Sequence, residues 1–394
     1  MKTTFSVMAG SLAAVLRRVG SVVSRASTLP VLGTVKLSDE TDGIWAEASD
    51  LDRAWRERVP TEHAEASSGL ALCVTHPTLL RLVSAFDGKV LLSITVDDEA
   101  KTLVLSGGGR RATLLGLPAD EFPPGMWNGM PEWTAMVPVP VPALAEALGA
   151  TLHAVSRDTT RHILNGLRFC AAEGGSGLVV VATDGRRLAV WSGTGLPLAA
   201  AGEDGAMTVP TEAALAMRGL IDRAGADDEL RLARVGADRI ALRLGAGGAM
   251  LVAKLIEGSY PNWRQVVPAD GNHEKVLRVN RETLLDAVRW VAQIGTDEAK
   301  SEGGHQIRLI ISSTGHLRVE RQAADRGDGA VDVEPLSWSG KDGVRIALGA
   351  RYLAETMASL QGEEVELRLD GEVTPVKIRS GVVTEIVMPM RIAG

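Results

Sequence analysis

Cysteine and aromatic residues are scarce in this sequence of 394 residues, with two cysteines and 4% aromatic side chains. Cys73 and Cys170 lie far apart in apolar, strand-like runs, which excludes a disulfide framework and a cysteine-rich zinc site and predicts two buried thiols. No apolar run approaches the roughly 18–20 residues of a membrane span. The N-terminus lacks the charged and then apolar pattern of a signal peptide. We therefore expect a cytoplasmic protein with no membrane partner.

Sequence motifs for catalysis and metal binding are also missing. There is no G-x-x-x-x-G-K-[ST] phosphate loop, and no serine has a nucleophile-elbow frame. The seven histidines never pair at i, i+4 or as H-x-H, which disfavours a metal site. The glycine runs at 107–109 and 245–248 separate two strand-like segments, so they predict hairpin turns and not a phosphate-binding loop. These absences predict a protein that is not an enzyme and has no cofactor and no metal.

The charge balance restricts the kind of nucleic-acid binder that this chain can be. Lysine and arginine number 42, aspartate and glutamate 49, and the net charge is −7. A uniformly basic surface is therefore excluded, whereas a locally basic face on an acidic body stays open.

One pattern occurs six times: a short apolar strand, a polar break and a helix with apolar residues on one face. The repeats lie roughly 65–70 residues apart. Thr75, Thr211 and Asn280 stand where an N-cap is expected, and Pro77 and Pro142 suit a first helical turn. The six predicted apolar stripes are Leu12, Val15, Leu16 and Val19; Leu79, Leu82 and Val83; Leu144, Leu148 and Leu152; Leu215 and Ile221; Leu284, Leu285, Val288 and Val291; Leu353, Met357 and Leu360.

Between the helices, alternating strands are separated by Gly and Asp-Gly turns, which is typical of antiparallel hairpins. A single unit has too little apolar surface to be stable alone, so we expect two units per domain. The pattern predicts an α+β fold of three repeated domains, 1–132, 133–272 and 273–394, each with two helices packed on antiparallel sheets. The alternative is a chance similarity among amphipathic helices.

Six stretches resemble the bacterial DNA polymerase III beta subunit, or sliding clamp, family, in the same order from end to end. They are residues 28–33 (TLPVLG), 117–123 (LPADEFP), 161–166 (RHILNG), 181–190 (VATDGRRLAV), 254–263 (KLIEGSYPNW) and 387–391 (VMPMR).

The resemblance implies the DNA clamp fold and a head-to-tail homodimer closed into a ring around double-stranded DNA. Its function would be that of a processivity factor without catalytic activity, which tethers the replicative polymerase. The implied partners are the DNA polymerase III alpha subunit, the clamp loader, and other polymerases and mismatch-repair proteins that carry clamp-binding peptides.

The resemblance also implies site residues of three kinds. For DNA contact they are Arg25, Arg157, Arg161, His162 and Arg218, for which the plainer alternative is solvated surface residues. For the dimer interface they are Ala112 and Leu114 facing Trp290 and Ile294, for which the alternative is core packing. For the partner-peptide cleft they are Leu164, Thr183, Gly185, Arg186, Arg187, Leu188, Pro261, Val266, Val376, Ile386, Val387, Met388, Pro389 and Met390.

Three alternatives remain open from the sequence. Residues 184–185 and 387–388 are, without the resemblance, a hairpin turn and a core strand. A specialised second clamp with altered partner preference would account for His162, Glu212 and Gln265, which depart from the common family residues. An enzyme on a clamp scaffold, such as a nuclease or hydrolase, would need clustered carboxylates or histidines, and the sequence has no such cluster.

Overall fold

The structure is a computed structural model. It describes residues 2–24, 27–64, 69, 71–123, 125–172, 177–194, 206–225, 228–245, 248–269, 275–294, 305–323 and 327–391. Over these residues the fold is α+β with antiparallel strands, which confirms the predicted class. The α-helices are α1 (Ala9–Val19), α2 (His76–Ser84), α3 (Val141–Thr151), α4 (Thr211–Ile221), α5 (Arg281–Ala292) and α6 (Ala350–Ser359).

The strands are short and pair mostly with their neighbours in the chain. Their bounds are β1 (Lys2–Met8), β2 (Thr34–Glu40), β3 (Gly43–Ser49), β4 (Arg53–Arg58), β5 (Thr61–Ala64), β6 (Ala71–Thr75), β7 (Leu91–Asp97), β8 (Thr102–Gly107), β9 (Arg110–Pro118), β10 (Val137–Val139), β11 (Gly166–Ala171), β12 (Gly177–Thr183), β13 (Arg187–Thr194), β14 (Met207–Pro210), β15 (Leu230–Val235), β16 (Arg239–Leu244), β17 (Met250–Lys254), β18 (Lys275–Asn280), β19 (Gln306–Ile311), β20 (Leu317–Ala323), β21 (Gly327–Val333), β22 (Ser337–Trp338), β23 (Val344–Gly349), β24 (Glu364–Leu369), β25 (Val376–Ser380) and β26 (Val383–Val387).

The apolar spacing predicted the buried helix faces well, with three exceptions: Leu82 on α2 and Leu152, just after α3, are half-buried, and Leu215 on α4 is exposed. On α5 the residues Leu284, Leu285, Val288 and Val291 are all buried, as expected from their spacing. On α4 the prediction is wrong at Leu215, which is 49% exposed. Leu215 stands six positions before the buried Ile221, about 240° away around a helix of 3.6 residues per turn, so the two cannot share one face.

The predicted helix starts are partly right. The Asn280 side chain accepts a hydrogen bond from the Thr283 N–H at 3.0 Å, which confirms this N-cap. Thr75 stands at the N-cap position of α2 but makes no capping hydrogen bond with its side chain. Thr211 is the first residue of α4, and its hydroxyl donates to the Asn165 carbonyl at 2.8 Å, so the predicted cap is wrong there. Pro77 lies in the first turn of α2, where its missing N–H costs no hydrogen bond.

The chain forms two compact units. One contains Met1–Pro142 and Glu212–Leu255, and the other contains Ala143–Leu198, Glu203–Thr211 and Ile256–Gly394. The first unit holds a sheet of thirteen described strands in the order β10-β15-β16-β17-β4-β3-β2-β6-β9-β8-β7-β1-β5. Its continuity depends on the antiparallel pairing of β17 with β4, in which Leu251 faces Trp55.

The second unit holds two sheets of described strands. The larger has the order β14-β11-β12-β13-β26-β25-β24-β18-β22, and the smaller has the order β21-β20-β19-β23. In the larger sheet β13 pairs with β26, and this pairing sets Leu188 opposite Ile386. The pairing joins strands from the predicted middle and C-terminal domains, and the candidate site lies at its end.

Two further predictions about local structure are confirmed. Residues 107–109 connect the antiparallel strands β8 and β9, with Gly108 at φ +50° and Gly109 at φ +74°. Positive φ values of this kind favour glycine in a tight turn. Cys73 and Cys170 are both buried free thiols, and burial raises the pKa of Cys73 to about 11. Among the described helices, none has the length and apolar character needed to cross a bilayer.

Candidate binding cleft

The second unit contains an open, largely apolar cavity of about 400 Å³ next to the end of the β13–β26 pair. Its walls come from the turn between β12 and β13, the end of β26, the segment before β11 and the residues after β17. The lining residues are Arg161, Leu164, Thr183, Gly185, Arg186, Arg187, Leu188, Pro261, Asn262, Trp263, Val266, Ile386 and Met388.

The turn between β12 and β13 is held by its own side chains. Asp184 Oδ1 accepts the N–H groups of Arg186 at 2.8 Å and Arg187 at 2.9 Å. The Thr183 hydroxyl donates to the Arg187 carbonyl at 2.6 Å and accepts the Gly185 N–H at 3.0 Å. Gly185 has φ +85°, a conformation that favours glycine. The sequence Thr-Asp-Gly-Arg therefore satisfies its own backbone and presents Arg186 at the cleft.

The end of β26 forms the wall next to this turn. The Met388 N–H donates to the Arg186 carbonyl at 2.9 Å, which extends the β13–β26 ladder by one residue and places Met388 beside the turn. The Met390 N–H donates to the Ala347 carbonyl of β23 at 2.8 Å. These two bonds fix the direction in which the chain leaves the cleft.

The cleft has a buried floor and an exposed rim. Leu164, Leu188 and Ile386 have exposed fractions of 6%, 2% and 2% and form the floor. Val266 and Met388, on the rim, are 53% and 41% exposed. Apolar side chains exposed around a concave apolar floor are typical of a site that binds an apolar ligand.

The charged groups that line the cleft are three arginines. Arg187 is buried and pairs with Asp184 at 3.1 Å and with Glu355 at 2.6 Å. Arg161 pairs with Asp158 at 3.1 Å. Hydrogen bonds from Thr160 and Arg161 lower the pKa of Asp158 below its usual range, so this pair is charged at neutral pH. Arg186 is exposed.

A buried pair of titratable groups lies behind Arg187. The carboxylate of Glu385 on β26 is fully buried and stands 3.4 Å from His153 Nε2. Burial raises the pKa of Glu385, and the nearby His153 and Arg187 oppose that rise. The His153 carbonyl accepts a hydrogen bond from Arg187. Sequence analysis did not find this pair, because His153 and Glu385 belong to no motif and meet only in the folded chain.

Most of the residues predicted for the peptide cleft line this cavity, and four do not. Val376 and Val387 are fully buried strand residues, and Pro389 and Met390 follow Met388 outside the lining. Arg161, Asn262 and Trp263 line the cleft although sequence analysis had not placed them there. Asn262 and Trp263 end the stretch 254–263, so the signal was present and only Pro261 had been taken from it.

The residues predicted for DNA contact are exposed where the structure describes them. Arg157, Arg161 and His162 belong to the segment before β11, and Arg218 lies on α4. Arg25 lies outside the described residues. Arg161 also lines the cleft. Its contact with DNA therefore stays a prediction, and peptide binding is the alternative role.

The residues predicted for a dimer interface lie on or beside strands with one open edge. Ala112 and Leu114 pair with β8, and the described neighbour β6 contacts β9 only at Gly116–Pro118. Trp290 is 53% exposed on α5, and β21 has β20 as its one described partner strand. A Cβ atom built on Gly329 of β21 would stand 2.1 Å from Ile294 Cδ1 and 3.3 Å from the Trp290 ring, so both side chains pack on this strand.

Three family models match consecutive parts of the chain. They describe the DNA polymerase III beta subunit: its N-terminal domain matches residues 3–126, its central domain residues 138–262 and its C-terminal domain residues 264–391. The chain belongs to the DNA polymerase III beta subunit family. It has three domains of the sliding clamp fold.

Proteins that match this chain over nearly its whole length are named beta sliding clamps. The chain is 28% identical to the beta sliding clamp of Caulobacter vibrioides over 388 residues, which cover 96% of this chain and 98% of that protein. It is 26% identical to the beta sliding clamp of Escherichia coli K12, with 96% of each chain covered. The crystal structure of a Caulobacter crescentus beta sliding clamp matches with a TM-score of 0.86 at 26% identity and covers 99% of each chain.

Proposed function

We propose that this chain is a sliding clamp, a processivity factor that encircles duplex DNA and tethers the replicative polymerase. Membership of the beta subunit family over all three domains supports this function. The observation that carries it is the cleft at the end of the β13–β26 pair, whose apolar floor and exposed Val266 and Met388 suit an apolar peptide. The chain would act in the cytoplasm, and the domain boundaries near Glu132 and Asn272 belong to the proposal.

A clamp differs from an ordinary nucleic-acid binder in how it stays on DNA. Strong contacts to phosphates would slow sliding, so a weak, sequence-independent positive potential is expected on the DNA-facing surface. The time that the clamp stays on DNA is then set by the rate of ring opening, which takes the place of an ordinary dissociation step. A net charge of −7 excludes a uniformly basic surface and is compatible with a weakly basic DNA-facing one.

The partners of the cleft would be proteins that carry short clamp-binding peptides: the DNA polymerase III alpha subunit, the clamp loader, other polymerases and mismatch-repair proteins. Methionine suits a shared site, because its unbranched and polarisable side chain adapts to different ligands. Met388 would be the adaptable part of the rim.

A binding measurement tests the cleft. The substitution Met388→Asp places a charge on the apolar rim, and we expect binding of a fluorescein-labelled peptide from the tail of the alpha subunit to weaken at least about tenfold in fluorescence polarisation. Val373→Asp is the matched control, because Val373 is 78% exposed and does not line the cleft. Equal affinity for the two variants would contradict the proposal.

DNA contact is tested by loading onto nicked circular DNA with a clamp loader. We propose that Arg25, Arg157, Arg161, His162 and Arg218 face the DNA. Arg157→Ala combined with Arg218→Ala leaves the cleft lining unchanged. We expect this double variant to load less well than the parent, with a difference that is largest at low salt and shrinks as the salt concentration rises. The control is Arg345→Ala, an exposed arginine on β23. Normal loading of the double variant at physiological salt would show that the DNA-facing residues are assigned wrongly.

The proposed ring consists of two chains. The open edge of β9 with Ala112 and Leu114 would meet the β21 edge with Trp290 and Ile294 on a second chain, because pairing across chains covers exposed sheet edges. Two head-to-tail contacts of this kind, each between the first domain of one chain and the third domain of the other, would close two chains into a ring.

The family acts as a processivity factor without catalytic activity, and we propose the same for this chain. Among the described residues no group of three or more potential metal ligands occurs. Incubation with plasmid DNA and Mg²⁺ or Mn²⁺ should leave the plasmid intact, and cleavage that copurifies with the chain would favour the enzyme alternative. The comparisons give no support to a specialised second clamp, since the relatives named above are called beta sliding clamps.

A further inference from the structure

We infer that His153 and Glu385 form a buried, proton-linked positioning site behind the cleft. The cleft binds its peptide tightly while this pair holds one proton, and its affinity falls when that proton leaves for the solvent. The inference rests on the proposed function of the cleft and adds to it a control by pH, whatever sequence the peptide has.

The pair is shielded from water and lacks hydrogen-bond partners. The Glu385 side chain has no exposed surface and that of His153 is 12% exposed, with Oε2 and Nε2 3.4 Å apart. Within the described part of the chain, neither carboxylate oxygen and neither ring nitrogen makes a well-aligned hydrogen bond. A buried carboxylate without donors is costly unless it is neutralised. The pair therefore keeps one proton, either on the carboxyl beside a neutral imidazole or on an imidazolium beside the carboxylate.

Each element packed against Glu385 contributes defined groups. Its partners in register on the neighbouring strands, Ala189 of β13 and Ile378 of β25, are apolar. Lys377 of β25 pairs in register with Ile386 and so lies on the other face of the sheet. The polar and charged groups that face Glu385 or join its network are His153 after α3, Asp184 and Arg187 around the β12–β13 turn, and Tyr352, Glu355 and Ser359 on α6.

Both members of the pair are tied to the walls of the cleft. The His153 carbonyl accepts a hydrogen bond from Arg187, which lines the cleft. Glu385 directly precedes Ile386 of the cleft floor, and successive residues of a strand point to opposite faces. The carboxylate therefore lies behind the floor, and each member of the pair is one residue or one hydrogen bond away from the lining.

Loss of the proton changes the balance of charges on Arg187. In the structure its guanidinium pairs with Asp184 at 3.1 Å and with Glu355 at 2.6 Å. Burial raises the pKa of Glu385, and the nearby His153 and Arg187 oppose that rise, since positive charge favours the carboxylate form. Once ionised, Glu385 is a third anion that competes for the same guanidinium. Movement of Arg187 toward it would pull on the turn that Asp184 holds and change the shape of the cleft.

A bound peptide strengthens the hold of the pair on its proton. A peptide that covers Leu188 and Ile386 removes water from the cleft and lowers the local dielectric constant around Arg187 and Glu385. A carboxylate is less favourable in such surroundings, so the pair binds its proton more tightly when the peptide is present. By thermodynamic linkage the proton strengthens peptide binding by the same factor. Peptide affinity should therefore be constant while the pair is protonated and fall as the pH rises through the range in which the proton is lost.

The lining itself does not titrate near neutral pH. The described residues that line the cleft include no histidine, cysteine, lysine, tyrosine, aspartate or glutamate, and arginine stays charged. Cys170 packs with Leu188 and Ile386 beneath the floor, and His162 is next to Arg161 in the chain. These two are the alternative sources of a pH effect, and the variants below separate them from the buried pair.

The test measures peptide binding by isothermal titration calorimetry at pH values from about 6 to about 9. The ligand is the alpha-subunit tail peptide with blocked ends, so that neither terminus titrates. With the parent chain we expect the dissociation constant to rise at least about fivefold across this range. Where it rises, titrations in phosphate and in Tris, which differ in their enthalpies of ionisation, should show the uptake of up to about one proton per peptide bound.

Variants of the pair assign the effect. Glu385→Gln keeps the size of the side chain but cannot ionise, so its affinity should no longer fall as the pH rises toward about 9. His153→Leu removes a group that lowers the pKa of Glu385, so the loss of affinity should move to higher pH. Glu366→Gln, the matched control on β24, and Cys170→Ser should keep the pH profile of the parent. Circular dichroism at each pH checks that the variants are folded, and the proton uptake of the parent chain tests the pair without any substitution.

The outcomes separate the inference from the proposed function. A rise in the dissociation constant that disappears in Glu385→Gln and shifts in His153→Leu supports the inference. A dissociation constant of the parent that is the same at each pH overturns it and leaves the cleft in place. A rise that persists unchanged in Glu385→Gln places the titrating group elsewhere and also overturns it. If the parent chain binds no peptide at any pH, the proposed function of the cleft fails, and the inference fails with it.

Discussion

Gly185 is a residue on which the geometry of the cleft depends. Its φ of +85° lies in the left-handed region, and a Cβ atom there would stand 2.9 Å from Arg161 Nη1. An alanine at this position would strain the backbone and displace a guanidinium of the lining.

We expect Gly185→Ala to lower the free energy of unfolding by about 1–2 kcal/mol, because the left-handed backbone conformation destabilises a residue with a Cβ atom by about this amount. Urea unfolding measures the change, and peptide affinity should fall with it. Gly149→Ala is the control: Gly149 lies inside α3 with open space around its Cβ position, so alanine should raise stability by up to about 1 kcal/mol. Equal effects of the two substitutions would contradict the role given to Gly185.

The carboxyl of Glu385 links stability to pH. Its ordinary pKa is 4.5, and burial raises the pKa in the folded protein. Between these two pKa values the folded chain binds more protons than the unfolded chain. The contribution of this group is therefore most favourable at low pH and is lost as the pH rises from about 4.5 through the raised pKa.

Glu385→Gln has no such titration, so its stability should rise relative to the parent as the pH increases. Urea unfolding at about pH 5 and about pH 8 measures the difference. Glu366→Gln should behave in the opposite way: burial opposes the shift, yet hydrogen bonds from Arg368 and Arg278 lower the pKa of Glu366. Its stabilising effect is complete above the ordinary pKa of 4.5 and is lost as the pH falls through the lowered pKa. Glu366→Gln should therefore lose stability relative to the parent between about pH 3 and about pH 5, where urea unfolding measures the change, and should differ little between about pH 5 and about pH 8. The same pH trend for both variants would refute the sign of one shift.

At the scale of elements, the first unit is held together around a buried carboxylate. Glu57 on β4 has no exposed side-chain surface, and it accepts hydrogen bonds from Arg18 of α1 at 2.6 Å and from Trp55 at 3.2 Å. Arg223, just after α4, stands 3.3 Å from the same carboxylate. One side chain thus joins a strand and two helical segments.

We expect Glu57→Gln to lower the free energy of unfolding of this unit by about 3 kcal/mol, because two arginines would lose the charge that compensates them. Glu212→Gln is the control, since Glu212 is 71% exposed and its contact with Arg53 is 3.6 Å long, and exposed pairs contribute less than about 1 kcal/mol. Thermal unfolding followed by circular dichroism compares the two variants. A loss for Glu57→Gln no larger than that of its control would mean that the carboxylate does not hold these elements.

At the scale of the whole molecule, the proposed ring depends on contacts between two chains. Of the four residues assigned to that contact, Trp290 is exposed, at 53%, whereas Ala112, Leu114 and Ile294 are half-buried. Because its ring is half outside the monomer, a charge at this position should oppose dimer formation more than folding.

We expect Trp290→Lys to convert the dimer into monomer, with a dissociation constant raised at least about a hundredfold. Sedimentation equilibrium measures the change. Leu336→Lys is the control, because Leu336 is 54% exposed and belongs to no proposed contact. A Trp290→Lys chain that remains dimeric at micromolar concentration would contradict the assignment of this interface.

Much of the local structure follows from the sequence alone. Apolar residues spaced for one helix face predicted α1 and α5, and glycines between alternating segments predicted the β8–β9 hairpin, because both patterns report on neighbours along the chain. The N-cap at Asn280 was predicted correctly. Thr75 also stands at its predicted N-cap position, although its side chain makes no capping hydrogen bond. Thr211 was predicted wrongly, since a hydroxyl near a helix start can bond elsewhere, as that of Thr211 does with the Asn165 carbonyl.

Family motifs identified most of the cleft residues. They did not predict which way each side chain points, because tertiary contacts determine that direction. Arg161 belongs to a motif that suggested DNA contact, yet its side chain reaches the cleft. Val387 belongs to the terminal motif, yet it is fully buried. In both cases the motif names the segment, while the direction of each side chain depends on the strand or turn against which the segment packs.

The repeated strand–helix units, the buried thiols and the Thr-Asp-Gly-Arg turn that satisfies its own backbone follow from residues close together in the chain. The pairing of β13 with β26, the position of Met388 beside Arg186 and the burial of Glu385 next to His153 arise only in the folded chain. Local patterns depend on interactions within a few residues and can be read along the chain. Pairings between distant strands depend on which surfaces bury each other, and that is settled only when the whole chain folds.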